Sequence, residues 1–259
     1  MSWCAADLVL FNSYHHLRAV TGALPGFIRS LPDDTHQPAV EDVLSKFEVF
    51  PVGVDLTPVP RGGDRRARAE RNERPIILWP HRWERDKDPA AFLKALDKVR
   101  DAGLDFGLVL AGQDPPSGST MAVEERTRAE KEFADHIIAS GDFDRSTYLE
   151  YLGQADLVVS CARHEFFGVA VVEAVAAGCV PVLPDALSYP ELIRPPWHRE
   201  VLYEPGTFGS RLVDAVKRID ELRNETIGLA ESMWRYDWSS ISDIYDDRLA
   251  AVSARLAAA

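Results

Sequence analysis

Four short runs of uninterrupted apolar residues constrain this chain more than any other feature. They are Ile76-Ile77-Leu78-Trp79, Leu108-Val109-Leu110-Ala111, Leu157-Val158-Val159 and Val180-Pro181-Val182-Leu183, and helical patterns lie between them. A strand without polar alternation is buried on both faces, the habit of parallel sheets. Strands alternating with helices build a parallel sheet covered by helices on both sides. The expected order is strand 76–79, helix 89–101, strand 106–111, helix 121–138, short helix 147–152, strand 157–160, helix 169–177, strand 180–183 and helix 208–222. The fold class is therefore α/β, a doubly wound, Rossmann-like parallel sheet.

A separate unit precedes this pattern. Residues 6–11 read as a strand, and Asn12-Ser13 caps a helix over 14–20. Residues 25–38, rich in Pro, Gly and Asp, read as a loop, followed by a short helix over 40–46 and a strand over 47–52. Residues 56–74 carry Pro, Gly and alternating charge and read as an interdomain linker. The expected organisation is 1–55, a linker at 56–74, a ligand-binding domain at 75–233 and a C-terminal crossing helix at 234–259.

The 259 residues suffice for a full hydrophobic core, and 46% apolar with 27% charged residues is ordinary for a globular protein. A formal net charge of −12 argues against broad electrostatic binding of nucleic acid, though not against one local basic pocket. The three cysteines, Cys4, Cys161 and Cys179, form no C-x-x-C pair and suit a reducing, cytoplasmic setting. No apolar run approaches the length of a membrane span, and the N-terminus lacks a signal-peptide pattern.

Ligands of doubly wound sheets bind beyond the carboxyl ends of the strands. After strand 76–79 comes Pro80-His81-Arg82-Trp83-Glu84-Arg85-Asp86-Lys87, with Arg82 and Lys87 five residues apart in one strand-to-helix loop. Two such cations can meet one phosphate cluster, Arg as a fork and Lys as a point charge; alone, they read equally as surface charges paired with Glu84, Asp86 and Asp88. Gly112 follows strand 106–111 and permits close approach to the backbone. The third loop, His164-Glu165-Phe166-Phe167-Gly168, leads into Val169-Ala170-Val171-Val172-Glu173. Gly168 opens a helix whose N–H groups suit an anion. Glu173 stands among Val171, Val172, Ala174 and Val175, where a carboxylate without a partner is costly. A vicinal diol such as ribose would satisfy it. No metal-ligating cluster is visible.

Together these residues resemble the retaining GT-B glycosyltransferases, the large family that includes sucrose and mannosyl transferases. Glu165 and Glu173 are separated by seven residues, as the family's glutamates are; Arg82 and Lys87 match its Arg-x4-Lys; and Ala6–Ser13 and Val52–Asp55 match its passages out of the N-terminal domain. The aromatic segment Trp234–Tyr245 looks like its returning C-terminal segment. WPHRWERDKDP, HEFFGVAVVEAV and Tyr189-Pro190-Glu191 look more narrowly like the tRNA-queuosine mannosyltransferases, since the general family usually has Gly at Phe166 and lacks Trp79-Pro80-His81.

The resemblance implies a GT-B fold and no cofactor beyond a nucleotide-sugar donor, GDP-mannose in the narrower group, with queuosine in tRNA as acceptor. It implies that Arg82 and Lys87 hold the diphosphate, Glu165 the transferred sugar and Glu173 the ribose. Those three, Glu165, Arg82 and Lys87, are the expected catalytic residues. His81, Gly112, His164, Gly168 and the amides of Phe167 and Val169 complete the expected donor site, with no metal and no nucleophile assigned. It also implies that most of the N-terminal acceptor domain is missing from this chain, so that residues 1–55 pair with a second copy or another chain. Two other functions remain open: a nucleotide-sugar-binding module without catalysis, and a related transferase with a different donor and acceptor.

Overall fold

The computed structural model describes residues 2–30, 37–61, 73–113 and 120–258. Its centre is a six-stranded sheet in the order β5-β4-β3-β6-β7-β8, parallel at every pairing. The strands are β3 (Ile76–Trp79), β4 (Gly107–Ala111), β5 (Ile137–Gly141), β6 (Leu157–Val159), β7 (Val180–Pro184) and β8 (Leu202–Tyr203), after β1 (Val9–Phe11) and β2 (Phe47–Val49) of a separate two-stranded parallel sheet. The chain starts in the middle of the large sheet at β3, works outward to β5, then returns to β6 beside β3. That reversal is the switch point at which open α/β sheets bind ligands.

Side chains alternate across each strand, so every central strand feeds two cores. Ile76, Leu78, Val109 and Val158 face one layer, with Val171, Val172 and Val175 of the helix Val169–Ala176. Ile77, Trp79, Leu108, Leu110, Leu157 and Val159 face the other, with Phe92, Leu93, Leu96 and Val99 of Pro89–Asp101 and with Phe208 and Leu212 of Phe208–Lys217. In chain order the principal helices are α1 (Tyr14–Arg29), α2 (Gln37–Ser45), α3 (Pro89–Asp101), α4 (Thr120–Glu132), α5 (Arg145–Gln154), α6 (Val169–Ala176), α7 (Phe208–Lys217), α8 (Ile219–Glu225) and α9 (Trp238–Ala258).

Several expected boundaries are corrected. α1 does not stop at residue 20; it runs through Pro25 to Arg29, and residues 25–29 of the expected loop are helical. Pro25 deprives the Thr21 carbonyl of its helical donor, but α1 buries none of its residues, so water can reach that carbonyl. Residues 31–36 of that loop lie outside the described residues. The long helix expected over 121–138 ends at Glu132, and Ile137–Gly141 forms the edge strand β5. The chain turns at Phe133–His136, where the His136 amide donates to the Phe133 carbonyl and the His136 carbonyl accepts from Leu108. The helix over 208–222 is two helices, broken at Arg218, which leaves helical geometry at φ −106°.

The first unit and the large sheet are tied by the returning C-terminal segment. Val54 and Asp237 form a parallel bridge, and the Asp237 carboxylate accepts from the Leu56 amide at 2.9 Å. Leu56 and Val59, within the expected linker, are buried in the core; residues 62–72 of it lie outside the described residues. α9 then runs back over the first unit: the Tyr245 hydroxyl donates to the Pro51 carbonyl at 2.8 Å, and Tyr245 meets Phe50 edge-on at 4.3 Å. At this crossing Gly53 lies against the Trp238 indole, where an added Cβ would stand 2.4 Å from ring carbons. Gly53→Ala should therefore cost about 1–3 kcal/mol through overpacking, lowering the melting temperature by about 2–4 °C per kcal/mol. In a Trp238→Ala background the same change should cost much less, which a thermal double-mutant cycle would read.

Candidate functional site

The loops that leave β3 and β6 lie side by side at the switch point and are sewn together. The Arg163 amide donates to the Asp86 carbonyl at 2.7 Å, and the Arg163 guanidinium pairs with Asp88 at 2.7 Å. Lys87 makes the central stitch. Its ammonium meets Glu165 Oε2 at 3.2 Å, the His164 carbonyl at 3.1 Å and Asp86 Oδ2 at 3.2 Å. An ammonium has three donors, and here three acceptors surround it. Asp88, in the left-handed region at φ 51°, ends the first loop; its side chain caps α3 and Pro89 follows at the first helical position.

Glu165 is held from its other side too. Its Oε1 accepts from the amides of Phe166 and Phe167 at 3.1 and 3.3 Å. The Phe167 amide expected to face a donor thus serves the Glu165 carboxylate. Gly168 then takes φ 98°, open to glycine at no steric cost, and starts α6. His164 is exposed and contributes its carbonyl to Lys87.

A cavity of about 350 Å³ opens beside this stitch. Of the expected residues, Arg82, Gly112, Val169 and Glu173 line it, together with Asp142, Phe143 and Tyr148. Arg82 is half exposed and pairs with Glu84 at 3.0 Å. Gly112 has a second reason to be glycine: a Cβ there would lie 1.9 Å from the His81 carbonyl, so the residue also lets the β3 and β4 loops touch. His81 does not line the cavity. It is buried, with Nε2 unpartnered, and its pKa falls from 6.5 to about 3 through burial and then the Lys87 charge. The structure thus gathers Arg82, Gly112, Val169 and Glu173 around one space, while Lys87, Glu165, Phe167, His164 and His81 are not among the residues that line it.

Two participants were not recognised from the sequence. Glu173 is buried, and its Oε1 meets the Arg145 guanidinium at 2.7 Å. Arg145 is the first residue of α5, directly after the N-cap Asp144. A cation at a helix N-terminus opposes the helix dipole, and that misplacement was the available signal that Arg145 answers a carboxylate elsewhere. The other participant is Glu191. Its two oxygens accept from the amides of Tyr14 and His15 at 2.7 and 2.8 Å, while Ser13 caps His16 at 3.1 Å. A carboxylate from the large unit thereby caps α1 of the small one. The Ser13 hydroxyl also donates to the Phe166 carbonyl at 2.8 Å, and His16 stacks on the Phe166 ring at 4.1 Å.

Residues 61–227 match the family of glycosyl transferases group 1. The chain belongs to that family. Residues 1–54 match the family described as tRNA-queuosine alpha-mannosyltransferase N-terminal. Among relatives of this group 1 glycosyltransferase, the tRNA-queuosine alpha-mannosyltransferase of Drosophila melanogaster is 32% identical over 196 residues, 74% of this chain and 51% of that protein. The phosphatidyl-myo-inositol mannosyltransferase of Mycolicibacterium smegmatis is 26% identical over 217 residues, 79% of this chain and 54% of that one. The chain spans about half the length of these relatives. The alpha,alpha-trehalose-phosphate synthase (UDP-forming) of Burkholderia vietnamiensis superposes with a TM-score of 0.69 at 14% identity, over 98% of this chain and 62% of that one. The fold is the α/β GT-B type. No group of His, Cys, Asp and Glu suited to a metal ion occurs among the described residues, and no helix there is long and apolar enough to cross a membrane.

Two expectations follow from the electrostatics. Glu191→Ala should uncap α1, costing about 0.5–2 kcal/mol, and hydrogen exchange at the Tyr14 and His15 amides should quicken while the core of the large sheet stays protected. For His81, both folded and unfolded chains hold a neutral imidazole above pH 6.5; between 6.5 and about 3 only the unfolded chain takes up the proton. Stability should therefore fall with pH in that window, by about 2 kcal/mol at pH 5 from this group. A His81→Gln variant should show a correspondingly shallower fall in denaturation midpoint between pH 7 and 5.

Proposed function

We propose that this chain forms the donor-binding half of a glycosyltransferase that moves mannose from GDP-mannose to queuosine in tRNA with retention, working in the cytoplasm without a metal or other cofactor. The observation that carries the donor part is the cavity at the switch point. It places a guanidinium, a helix N-terminus and a buried carboxylate around one space of nucleotide size. The mannosyl and queuosine parts are supported by the match of residues 1–54 and by the Drosophila relative.

In this reading the diphosphate lies between Arg82 and the opening turn of α6, and the ribose diol reaches Glu173. Lys87 already satisfies three acceptors, so it meets the diphosphate by releasing one of them. Glu165, fixed by Lys87 and two amides, faces the hydroxyls of the transferred sugar. As the bond from the anomeric carbon to the diphosphate breaks, charge grows on the leaving oxygen, and the preorganised cations and amides stabilise it. The acceptor hydroxyl attacks the same carbon, and its proton passes to the departing diphosphate. The tRNA is met by surfaces beyond the donor unit, consistent with the net charge of −12 in this chain.

Calorimetric titration with GDP-mannose, UDP-glucose and ADP-glucose tests the donor. Selective binding of GDP-mannose is expected; preference for another nucleotide sugar would discard the mannosyl and queuosine assignment while keeping the site. Glu173→Ala should weaken GDP by about 1–3 kcal/mol, and Arg82→Ala should weaken GDP more than guanosine. Transfer of radiolabelled mannose to queuosine-containing tRNA, and its absence with tRNA lacking queuosine, tests the acceptor.

A further inference from the structure

The donor reading leaves two residues beside Glu173 without a task. Arg145 reaches the Glu173 carboxylate at Oε1, 2.7 Å away. Its own backbone position is fixed, because the Asp144 carboxylate caps α5 by accepting from the Thr147 amide at 2.8 Å and from the Ser146 hydroxyl at 2.8 Å. The guanidinium also lies over the Tyr148 ring at 5.8 Å and within the field of Asp55 from the hinge segment. Tyr148 lines the cavity, and its buried hydroxyl lies within hydrogen-bonding reach of Glu173. Burial, and then the Glu173 charge, raise the Tyr148 pKa. Buried hydroxyls are seldom left unbonded, and the Glu173 carboxylate is the acceptor beside this one.

We propose that Arg145, Glu173 and Tyr148 act as one diol-reading unit, in which Arg145 and Tyr148 together fix the Glu173 carboxylate so that it can accept from a vicinal diol. The proposal rests on the donor reading above and names two residues beyond it. A carboxylate in the apolar run Val171–Val175 would rotate, or shed its charge, without a fixed cation. Arg145 anchors it from outside the helix. Because Arg145 stands half exposed at the rim, it can hold Oε1 without filling the space that the diol needs. Arg145 and Tyr148 are thus positioning residues, both acting through Glu173.

GDP and 2′,3′-dideoxy-GDP, titrated into the native chain and into the Arg145→Ala, Arg145→Lys and Tyr148→Phe variants, separate this role from a structural one. The native chain should prefer GDP by about tenfold or more, the loss of one charged hydrogen bond. Arg145→Ala should erase most of that preference while dideoxy-GDP binds as before, which also reports that the variant is folded. Arg145→Lys should restore part of the preference, since a cation returns. Tyr148→Phe should lower the GDP preference severalfold with the dideoxy analogue unaffected. An unchanged preference in Arg145→Ala, or tighter GDP binding, would overturn the positioning role and mark Arg145 as a mere competitor for Glu173. An unchanged preference in Tyr148→Phe would remove Tyr148 from the unit. Equal affinity of the native chain for both nucleotides, or none for either, would overturn the donor reading itself and this proposal with it.

Discussion

The Lys87 ammonium is the point on which the site turns. It stands where two strands that are distant in sequence become neighbours, and it joins their loops through one carboxylate, one carbonyl and the adjacent Asp86. Buried ion pairs are poor sources of net stability, because desolvation offsets most of the attraction. What this one supplies is geometry. With Glu165 held by Lys87 on one oxygen and by two amides on the other, the chain between His164 and Gly168 has one conformation. That conformation aims the start of α6, and α6 carries Glu173 to the cavity. A sheet whose strand order did not reverse between β3 and β6 would keep these loops apart.

The sequence disclosed what is local and hid what is tertiary. Continuous apolar strands such as Leu157–Val159 announce burial on both faces, and the glutamates and cations that follow strands announce a ligand edge. Those signals need only a few adjacent residues. β5 escaped because its edge residues, half-buried Ile137 and exposed Ile138, follow α4 after a short turn carrying neither Gly nor Pro, so they extend the helical pattern rather than break it. The end of α1 escaped because Pro25 reads as a stop, yet an exposed helix tolerates a carbonyl turned to water. The roles of Arg145 and Glu191 were hidden for a different reason: each serves a group far along the chain, and neither partner can be read from its neighbours. The dipole-opposed cation at the start of α5 was the one local irregularity that betrayed such a debt. Gly112 shows the reverse case, a residue singled out for a ligand whose observed steric reason is the His81 carbonyl.

The small unit and the large one are joined by several kinds of physics. Charge joins them at Glu191, where a carboxylate answers the amides of α1. Aromatic stacking joins them at His16 and Phe166. Backbone pairing and close steric fit join them at Val54, Asp237, Gly53 and Trp238. The first two contacts fall on, or next to, the loop that holds Glu165. Phe166 is therefore the knob by which α1 grips that loop.

That loop is also a partition. On one side, past Val169, lies the cavity of about 350 Å³; on the other, past Phe167, lies a second of about 390 Å³, bounded by Asn12, Ser13, Glu191 and Tyr236. Between them stands a single thickness of chain, with the Phe166 carbonyl held by Ser13, the Phe166 ring stacked on His16 and the Phe167 ring set edge-on against Tyr236. A wall so thin has no interior to absorb a push. Whatever fills either chamber meets the same few peptide groups, a floor to one space and a ceiling to the other.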